Sequence, residues 1–349
     1  MAKRFVGLDV GFGTLRGAQV NMSTRGKPIL EKVHEYVLPE GVIDFGEIRD
    51  RAAFIEILRR FWSDAGFTTR KVALAAGSLH VFAREFTVPA MSSQRIRESL
   101  PFMMEGVLPI ATDQLFLDFY PTEEHVDDSG PTIRGLALAA ERASVDALVD
   151  CAIAARLHPV AVDFIPFALL RVCIDPQSPE GIIALVDVGA GATNILIARG
   201  AVPLFVRVIP NGGQDIDRAL MFHLKMTKDQ AAETKLKLKE APDTKDKEKV
   251  EAWAVMQEAI KDFVGGIKNT VDYFEQEHPA TNERVTRAEI SGGGSRLAGL
   301  RGVLEAQLRV PVTLNGDVRN IEKSKDLSLT KQKLSQMAIA IGLAMGVNS

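Results

Sequence analysis

Cysteine is nearly missing from this chain of 349 residues, which has only Cys151 and Cys173. They form no Cys-x-x-Cys unit and cannot build a disulfide scaffold, which suits a reducing cytosol. Histidine is also sparse, and the six residues are scattered with no His-Glu-x-x-His arrangement, so a tight transition-metal site is excluded and any metal must be oxygen-ligated. No excess of charge of one sign exists: the net charge is −3, which gives no reason to expect nucleic-acid binding. Long apolar runs are missing too. The N-terminus runs from Met1-Ala2-Lys3-Arg4 straight into a strand and has no signal-peptide core, while Met337 to Val347 is about half the ~20 residues a bilayer needs. A soluble protein is expected, reaching a membrane only through a partner.

What is present is a chain long enough for two lobes of roughly 150 residues. Two stretches repeat one design. Val6-Gly7-Leu8-Asp9-Val10-Gly11-Phe12-Gly13-Thr14 and Val186-Asp187-Val188-Gly189-Ala190-Gly191-Ala192-Thr193 each deliver an aspartate on an apolar strand and then turn through two glycines and a threonine. Glycines let backbone N–H groups approach phosphate oxygens, and a carboxylate at a strand end holds Mg²⁺ directly or through water. The two copies stand about half the chain apart, as two halves of one fold would, with phosphates between them.

Between the copies, Arg16 to Met22 and Ile29 to Leu38 read as strands around a Thr24 to Lys27 turn, and Asp50 caps a helix with Phe54, Ile57, Leu58, Phe61 and Trp62 on one face. Lys71 to Ala76 and Val81 to Val88 are strands. A helix opens at Ser92, carries Ile96, Leu100, Met103, Met104 and Val107 on its apolar side, is kinked or split by Pro101 and ends at Pro109. A strand at Leu115 to Tyr120, an acidic turn at Glu123 to Ser129, a strand at Ile133 to Ala140 and a helix at Ala143 to Ala155 follow, so residues from about 85 to 155 form a compact α/β insertion. Val160 to Phe164 is a strand, Pro166 to Cys173 a helix, and Pro176 to Glu180 a hinge.

Past the second turn, strands at Ile195 to Arg199 and Leu204 to Ile209 precede Asn211-Gly212-Gly213, which leads into a helix. Lys235 to Lys249 is a charged, solvated loop. A long helix then carries Met256, Ile260, Phe263, Ile267, Val271 and Phe274 on one stripe, with Gly265-Gly266 open to another backbone. Strand Arg287 to Ile290 runs into Ser291-Gly292-Gly293-Gly294-Ser295-Arg296, whose N–H groups beside the next helix suit an anion or nucleotide. A final helix, Gln332 to Gly346, is small enough in side chain to pack closely under the first lobe.

In this order, the motifs resemble the actin-like ATPase superfamily of actin, Hsp70 chaperones and sugar kinases. The implied fold class is α/β: an actin-like ATPase fold of two duplicated lobes with a nucleotide cleft between them and an inserted subdomain in the first lobe. The division expected is 1–84, 156–180 and 331–349 for the first lobe, 85–155 for the insertion, 181–215 and 265–330 for the second lobe, and 216–264 for a helical subdomain. By resemblance the cofactors are ATP and Mg²⁺, with Asp9 and Asp187 ordering the metal and its waters. Gly11, Gly13 and Thr14 hold the phosphates from one side, Gly189, Gly191, Thr193 and Gly213 from the other, and Gly292, Gly293, Gly294 and Arg296 lie against the adenosine. Filament-forming relatives carry Ala-Glu-x-x-Lys on the helix that meets the base and ribose. Here Ala232-Glu233-Thr234-Lys235 is shorter by one, so Glu233 and Lys235 are either nucleotide contacts or a solvated helix face.

The insertion narrows the resemblance. Val88-Pro89-Ala90-Met91, Glu98-Ser99-Leu100-Pro101-Phe102, Leu117-Asp118-Phe119-Tyr120 and Val162 to Arg171 resemble the PilM family of type IV pilus assembly, whose cell-division relative FtsA has a similar subdomain at the same point. This implies a nucleotide-binding cytoplasmic platform that captures the N-terminal cytosolic tail of a PilN-like bitopic membrane protein, in a groove between the first lobe and its insertion. Phe102 and Met103 are groove candidates, with a place in the core the preferred alternative. Related ATPases place a Glu or Gln just before the residue matching Pro166, whereas this chain has Ile165, so slow or no hydrolysis is expected unless Asp163 substitutes. A polymerising ATPase of the FtsA kind would carry an amphipathic membrane-targeting helix after a linker, and none is seen before Asn348-Ser349. A small-molecule kinase of the same fold, which needs an Asp base, ranks last.

Overall fold

The computed structural model describes residues 3–22, 26–44, 46–76, 81–127, 130–174, 181–277, 284–314 and 318–347. The Thr24 to Lys27 turn in part, and the Pro176 to Glu180 hinge entirely, lie outside them. Packing divides the chain into one unit of 1–179, 198–207 and 317–349 and another of 180–197 and 208–316.

In the first unit, β1 (Lys3–Val10), β2 (Thr14–Met22) and β3 (Ile29–Val37) form a meander, followed by a small hairpin of β4 (Ile43–Asp44) and β5 (Glu47–Ile48). Helix α1 (Arg51–Ala65) begins where the Asp50 carboxylate accepts the Ala53 N–H at 2.9 Å and ends at Gly66, whose φ of 59° is left-handed. Its buried stripe of Phe54, Leu58, Phe61 and Trp62 packs under the sheet, each side chain contributing about 1.5–3 kcal/mol of transfer free energy. Strand β6 (Lys71–Ala76) lies parallel to β1, and β7 (Val81–Pro89) opens the insertion.

The insertion continues with α2 (Ser93–Met103), β8 (Leu115–Asp127), β9 (Gly130–Glu141) and α3 (Arg142–Ala154). Two expectations fail here. Pro101 falls in the last turn of α2, so the helix ends at Met103 and does not continue to Pro109. The acidic stretch from Glu123 to Asp127 is the far half of β8, because β9 supplies its ladder partners as far as Gly130. The order β7-β9-β8 leaves β8 with one neighbour, and Ile96, Leu100 and Met104 of the α2 region bury against Phe119, Ala137 and Ala139.

Strand β10 (His158–Phe164) runs parallel to β6 and leads directly into α4 (Ile165–Cys173). After the second unit, β16 (Glu322–Lys323) joins β3, and the expected last helix appears as α9 (Lys331–Gln336) and α10 (Ala338–Gly346), parted at Met337. The sheet order is β10-β6-β1-β2-β3-β16, with β10 at one edge. Helix α10 lies so close to its neighbours that a Cβ on Gly7 would stand 1.9 Å from the Ala340 carbonyl oxygen, and one on Gly342 2.0 Å from that of Ala168.

A five-stranded sheet consists of β11 (Ile182–Val188), β12 (Thr193–Arg199), β13 (Val202–Ile209), β14 (Val285–Ser291) and β15 (Val312–Leu314), ordered β13-β12-β11-β14-β15, and all of it except residues 198–207 falls in the second unit. That unit's helices are α5 (Gly213–Leu224), α6 (Lys228–Lys237), α7 (Lys247–Glu277) and α8 (Leu300–Leu308). Every residue of the predicted α7 stripe is buried, and the helix passes through Gly265 and Gly266 unbroken. No backbone approaches either glycine: Gly265 faces open space and Gly266 the Ile209 side chain. The charged stretch from Lys235 is helical as far as Lys237, and Leu238 anchors the loop by burial.

Candidate functional site

In the first unit, the pleat places Asp9 directly opposite Arg16 across the β1–β2 ladder. Asp9 is 4% exposed, and the Arg16 guanidinium stands 3.8 Å from its carboxylate. Arg16 also donates to Glu35 at 3.2 Å, and Lys333 of α9 pairs with the same glutamate. Burial pushes the Glu35 carboxyl up, but the Lys333 hydrogen bond and the charges of Arg16 and Lys333 outweigh it, and the group is held below the usual glutamate range. The turn itself is closed by the Gly11 N–H donating to the Thr14 carbonyl at 2.9 Å, while the Leu38 N–H donates to Gly13. A Cβ on Gly13 would meet nothing within 4 Å, so this glycine answers to no packing demand.

The second unit gathers more of the expected residues. Asp187 is the last residue but one of the fully buried β11 and accepts the Ser291 hydroxyl at 3.0 Å. The Gly189 N–H closes its turn on Ala192, and its carbonyl accepts the Gly213 N–H at 2.9 Å, which brings the start of α5 onto the turn. Gly292 has φ of 83°, and a Cβ there would lie 2.5 Å from the Val188 carbonyl oxygen and 2.8 Å from Asp187 Oδ1. Asp187, Gly189, Gly213 and Gly292 therefore converge. Lys235 joins them, donating to the Gly213 carbonyl at 2.9 Å and pairing with Asp217 at 2.5 Å.

Other expected residues sit differently. Thr193 is fully buried and its hydroxyl donates to the Asn211 carbonyl at 2.8 Å, so its polar group is spent inside the fold. Gly191 is buried, whereas Gly293 and Arg296 are exposed. Gly294 packs on Val188, where a Cβ would meet Cγ1 at 2.5 Å. Glu233 points to the surface, paired with Lys237, which holds its carboxyl below the usual range. Ser291, Asn211 and Asp217 were missed in the sequence because only strand pairing and helix packing bring them to the turn. Among the described residues no group of three or more His, Cys, Asp or Glu is arranged to hold a metal ion.

A different site lies wholly within the first unit. Beside β8 and β10, a groove of about 1160 Å³ is walled by Phe116, Tyr120 and Leu138 from the insertion and by Val162, Phe164 and Phe167 from β10 and α4. The Tyr120 ring lies tilted at 51° to that of Phe167 with centroids 4.9 Å apart, and Phe164 meets Phe167 edge-on at 5.4 Å. Asp163 and Arg171 form an ion pair in the groove wall, and Asp163 also accepts the Phe164 N–H at 2.7 Å. This engages the carboxylate that was the candidate substitute for Ile165, which is itself buried. The groove residues proposed from sequence do not line it. Phe102 is 79% exposed, against the preferred core reading, and Met103 packs partly on the insertion's own core.

No helix among the described residues is long and apolar enough to cross a membrane. Comparison with family models matches residues 7–347 to the family described as type IV pilus assembly protein PilM. A search of the curated proteins finds no match. Among solved structures, the chain is similar to one of a PilM-PilN type IV pilus biogenesis complex, with a TM-score of 0.84 at 22% identity over 99% of this chain and 98% of that one. Ethanolamine utilization protein EutJ from Carboxydothermus hydrogenoformans gives 0.55 at 15% identity over 98% and 89%. MreB 5 of Spiroplasma citri bound to AMPPNP gives 0.54 at 12% over 98% and 95%. These likenesses establish an actin-like fold.

Proposed function

We propose, for a chain that belongs to the PilM family of type IV pilus assembly proteins, that it is a cytoplasmic adaptor capturing the N-terminal cytosolic tail of a PilN-like inner-membrane protein. The observation that carries this is the aromatic groove of the first unit. Its 1160 Å³ exceeds what a drug-sized molecule fills and suits an extended peptide. Both β8 and β10 are edge strands of their sheets, so their outer backbone groups can pair with an added strand while Phe116, Tyr120, Phe164 and Phe167 receive alternate side chains. The chain would thus be held at the inner face of the plasma membrane through its partner.

Nucleotide binding is the second part of the reading. Asp187, Gly189, Gly213, Gly292 and Lys235 converge in the second unit, a set that suits ATP phosphates, and the Gly13 turn of the first unit separately leaves open space where a phosphate oxygen can approach. Mg²⁺ would neutralise phosphate charge, held by Asp187 through its waters, since no protein cage for it exists among the described residues. With Ile165 buried at the start of α4 and Asp163 tied to Arg171, the ATP would serve structure or regulation more than turnover. The PilM family match disfavours a polymerising cytoskeletal ATPase.

The test is a fluorescence-anisotropy titration of a labelled peptide, the N-terminal cytosolic tail of a PilN-like bitopic membrane protein, with and without Mg-ATP. Binding that falls at least tenfold in Phe167→Ala, without loss of the folded state, is expected. Failure to bind any such tail, with filaments forming on ATP addition, would overturn the reading.

A further inference from the structure

The groove is not the only cavity along β8. A second, of about 550 Å³, lies between the N-terminal end of α2 and the far half of the strand, lined among others by Arg97, Pro121, Glu123, Glu124 and Ile133. The two cavities share Asp118 and Phe119 as lining residues, so the free edge of β8 passes from one to the other. They differ in chemistry. The first is aromatic at Phe116 and Tyr120, while the second adds Glu123 and Glu124, with Arg97 its one lining cation among the described residues, 4.0 Å from the shared Asp118. The Asp118 and Glu123 side chains are 66% and 62% exposed, and Arg134 reaches Glu123 only at 3.9 Å, so most of this negative charge faces solvent.

A strand laid along the β8 edge from Phe116 to Glu124 would run roughly 30 Å, about nine residues at ~3.3 Å each. Its first half would meet aromatic walls and its second half carboxylates. The tail of a bitopic inner-membrane protein has a fixed chemical direction, because Lys and Arg accumulate in cytosolic segments close to the membrane span. An N-terminal tail therefore carries its cations at the C-terminal, membrane-proximal end.

We propose that the β8 edge is a two-part docking surface on which such a tail lies parallel to β8, its apolar N-terminal stretch in the aromatic groove and its basic membrane-proximal stretch against Glu123 and Glu124. This rests on the adaptor reading above and adds the partner's charge, its direction and a second contact region. Opposite charges at an accessible rim add modest affinity and a strong salt dependence.

The experiment uses the full chain and two synthetic tail peptides from a PilN-like bitopic membrane protein, one natural and one with its membrane-proximal Lys and Arg replaced by Gln. The natural tail should bind about three- to tenfold more tightly at low salt, and the advantage should shrink as salt rises. Glu123→Gln/Glu124→Gln should remove that advantage, leaving affinity for the Gln peptide unchanged. Glu123→Lys/Glu124→Lys paired with a tail bearing Glu at those positions should restore it, which a merely structural role would not. Natural and Gln tails binding equally while Phe167→Ala still weakens both would overturn the two-part surface and leave the groove intact. Binding of neither tail would overturn both.

Discussion

The guanidinium carbon of Arg142 sits 4.0 Å from the centroid of the Phe116 ring, and the same guanidinium donates to the carbonyls of Leu115 at 3.1 Å and Asp113 at 3.4 Å. The first residue of α3 thereby fixes an aromatic residue at the rim of the groove. An exposed cation–π contact is worth about 0.5–1 kcal/mol, and the planar fork also needs both carbonyls. Arg142→Lys is expected to weaken tail binding about two- to fivefold with little change in melting temperature. Unchanged peptide affinity would show that Phe116 is not held by this contact in any way that matters for binding.

Two glycines near the first turn should respond oppositely to alanine. Gly7→Ala drives a Cβ into the Ala340 carbonyl, a backbone atom that cannot swing aside, and should cost about 1–3 kcal/mol or more in urea denaturation. Gly13→Ala meets open space and should leave stability nearly unchanged while weakening ATP binding. Equal stability for the two variants would contradict the close packing of α10 on β1.

Lys235 and Asp217 are mostly buried, and one Asp217 oxygen has no hydrogen-bond partner of its own. Removing the cation leaves an uncompensated carboxylate, so Lys235→Ala should cost about 1–3 kcal/mol. The double variant with Asp217→Ala should recover part of that loss. Isothermal titration with ATP on the same proteins is expected to show weaker binding for Lys235→Ala; additive losses in stability would mean the pair is not coupled.

Acid should loosen the first unit partly through Glu35. Its carboxyl is held below the usual range in the folded state, so its contribution is present above the unfolded value and is lost as pH falls through the folded one. Glu35→Gln should therefore be less stable than the parent at neutral pH and should lose less stability on acidification. Parallel pH profiles for the two proteins would rule out this carboxyl as a contributor.

Turnover should be slow. Multiple-turnover hydrolysis as fast as that of a robust actin-type ATPase, and lost on Asp187→Ala, would show that a water-positioning group exists despite Ile165.

Much of the architecture was legible in the chain because it depends on local rules. Periodicity set α1 and the α7 stripe, Asp50 marked a helix start, and the strand-glycine-threonine stretches fixed where β1 and β11 end. Errors arose where long-range pairing overrode local composition. Glu123 to Asp127 look like an acidic turn until β9 offers them a ladder, and Phe102 looks like core although it lies off the Ile96 and Leu100 stripe that α2 buries.

The repeated turns with which the chain can be recognised were thus determined by sequence, since apolar strands, carboxylates and glycines at close spacing dictate their own local geometry. Only tertiary structure decided which of those residues are available. It spent the Thr193 hydroxyl on Asn211, set Arg16 against Asp9, and carried Lys235 to Gly213. It also made the groove, whose walls of Phe116, Tyr120, Phe164 and Phe167 belong to elements separated in the chain and brought together by a strand edge that no other strand covers among the described residues. No window of sequence contains that surface, because it exists only where two sheets end.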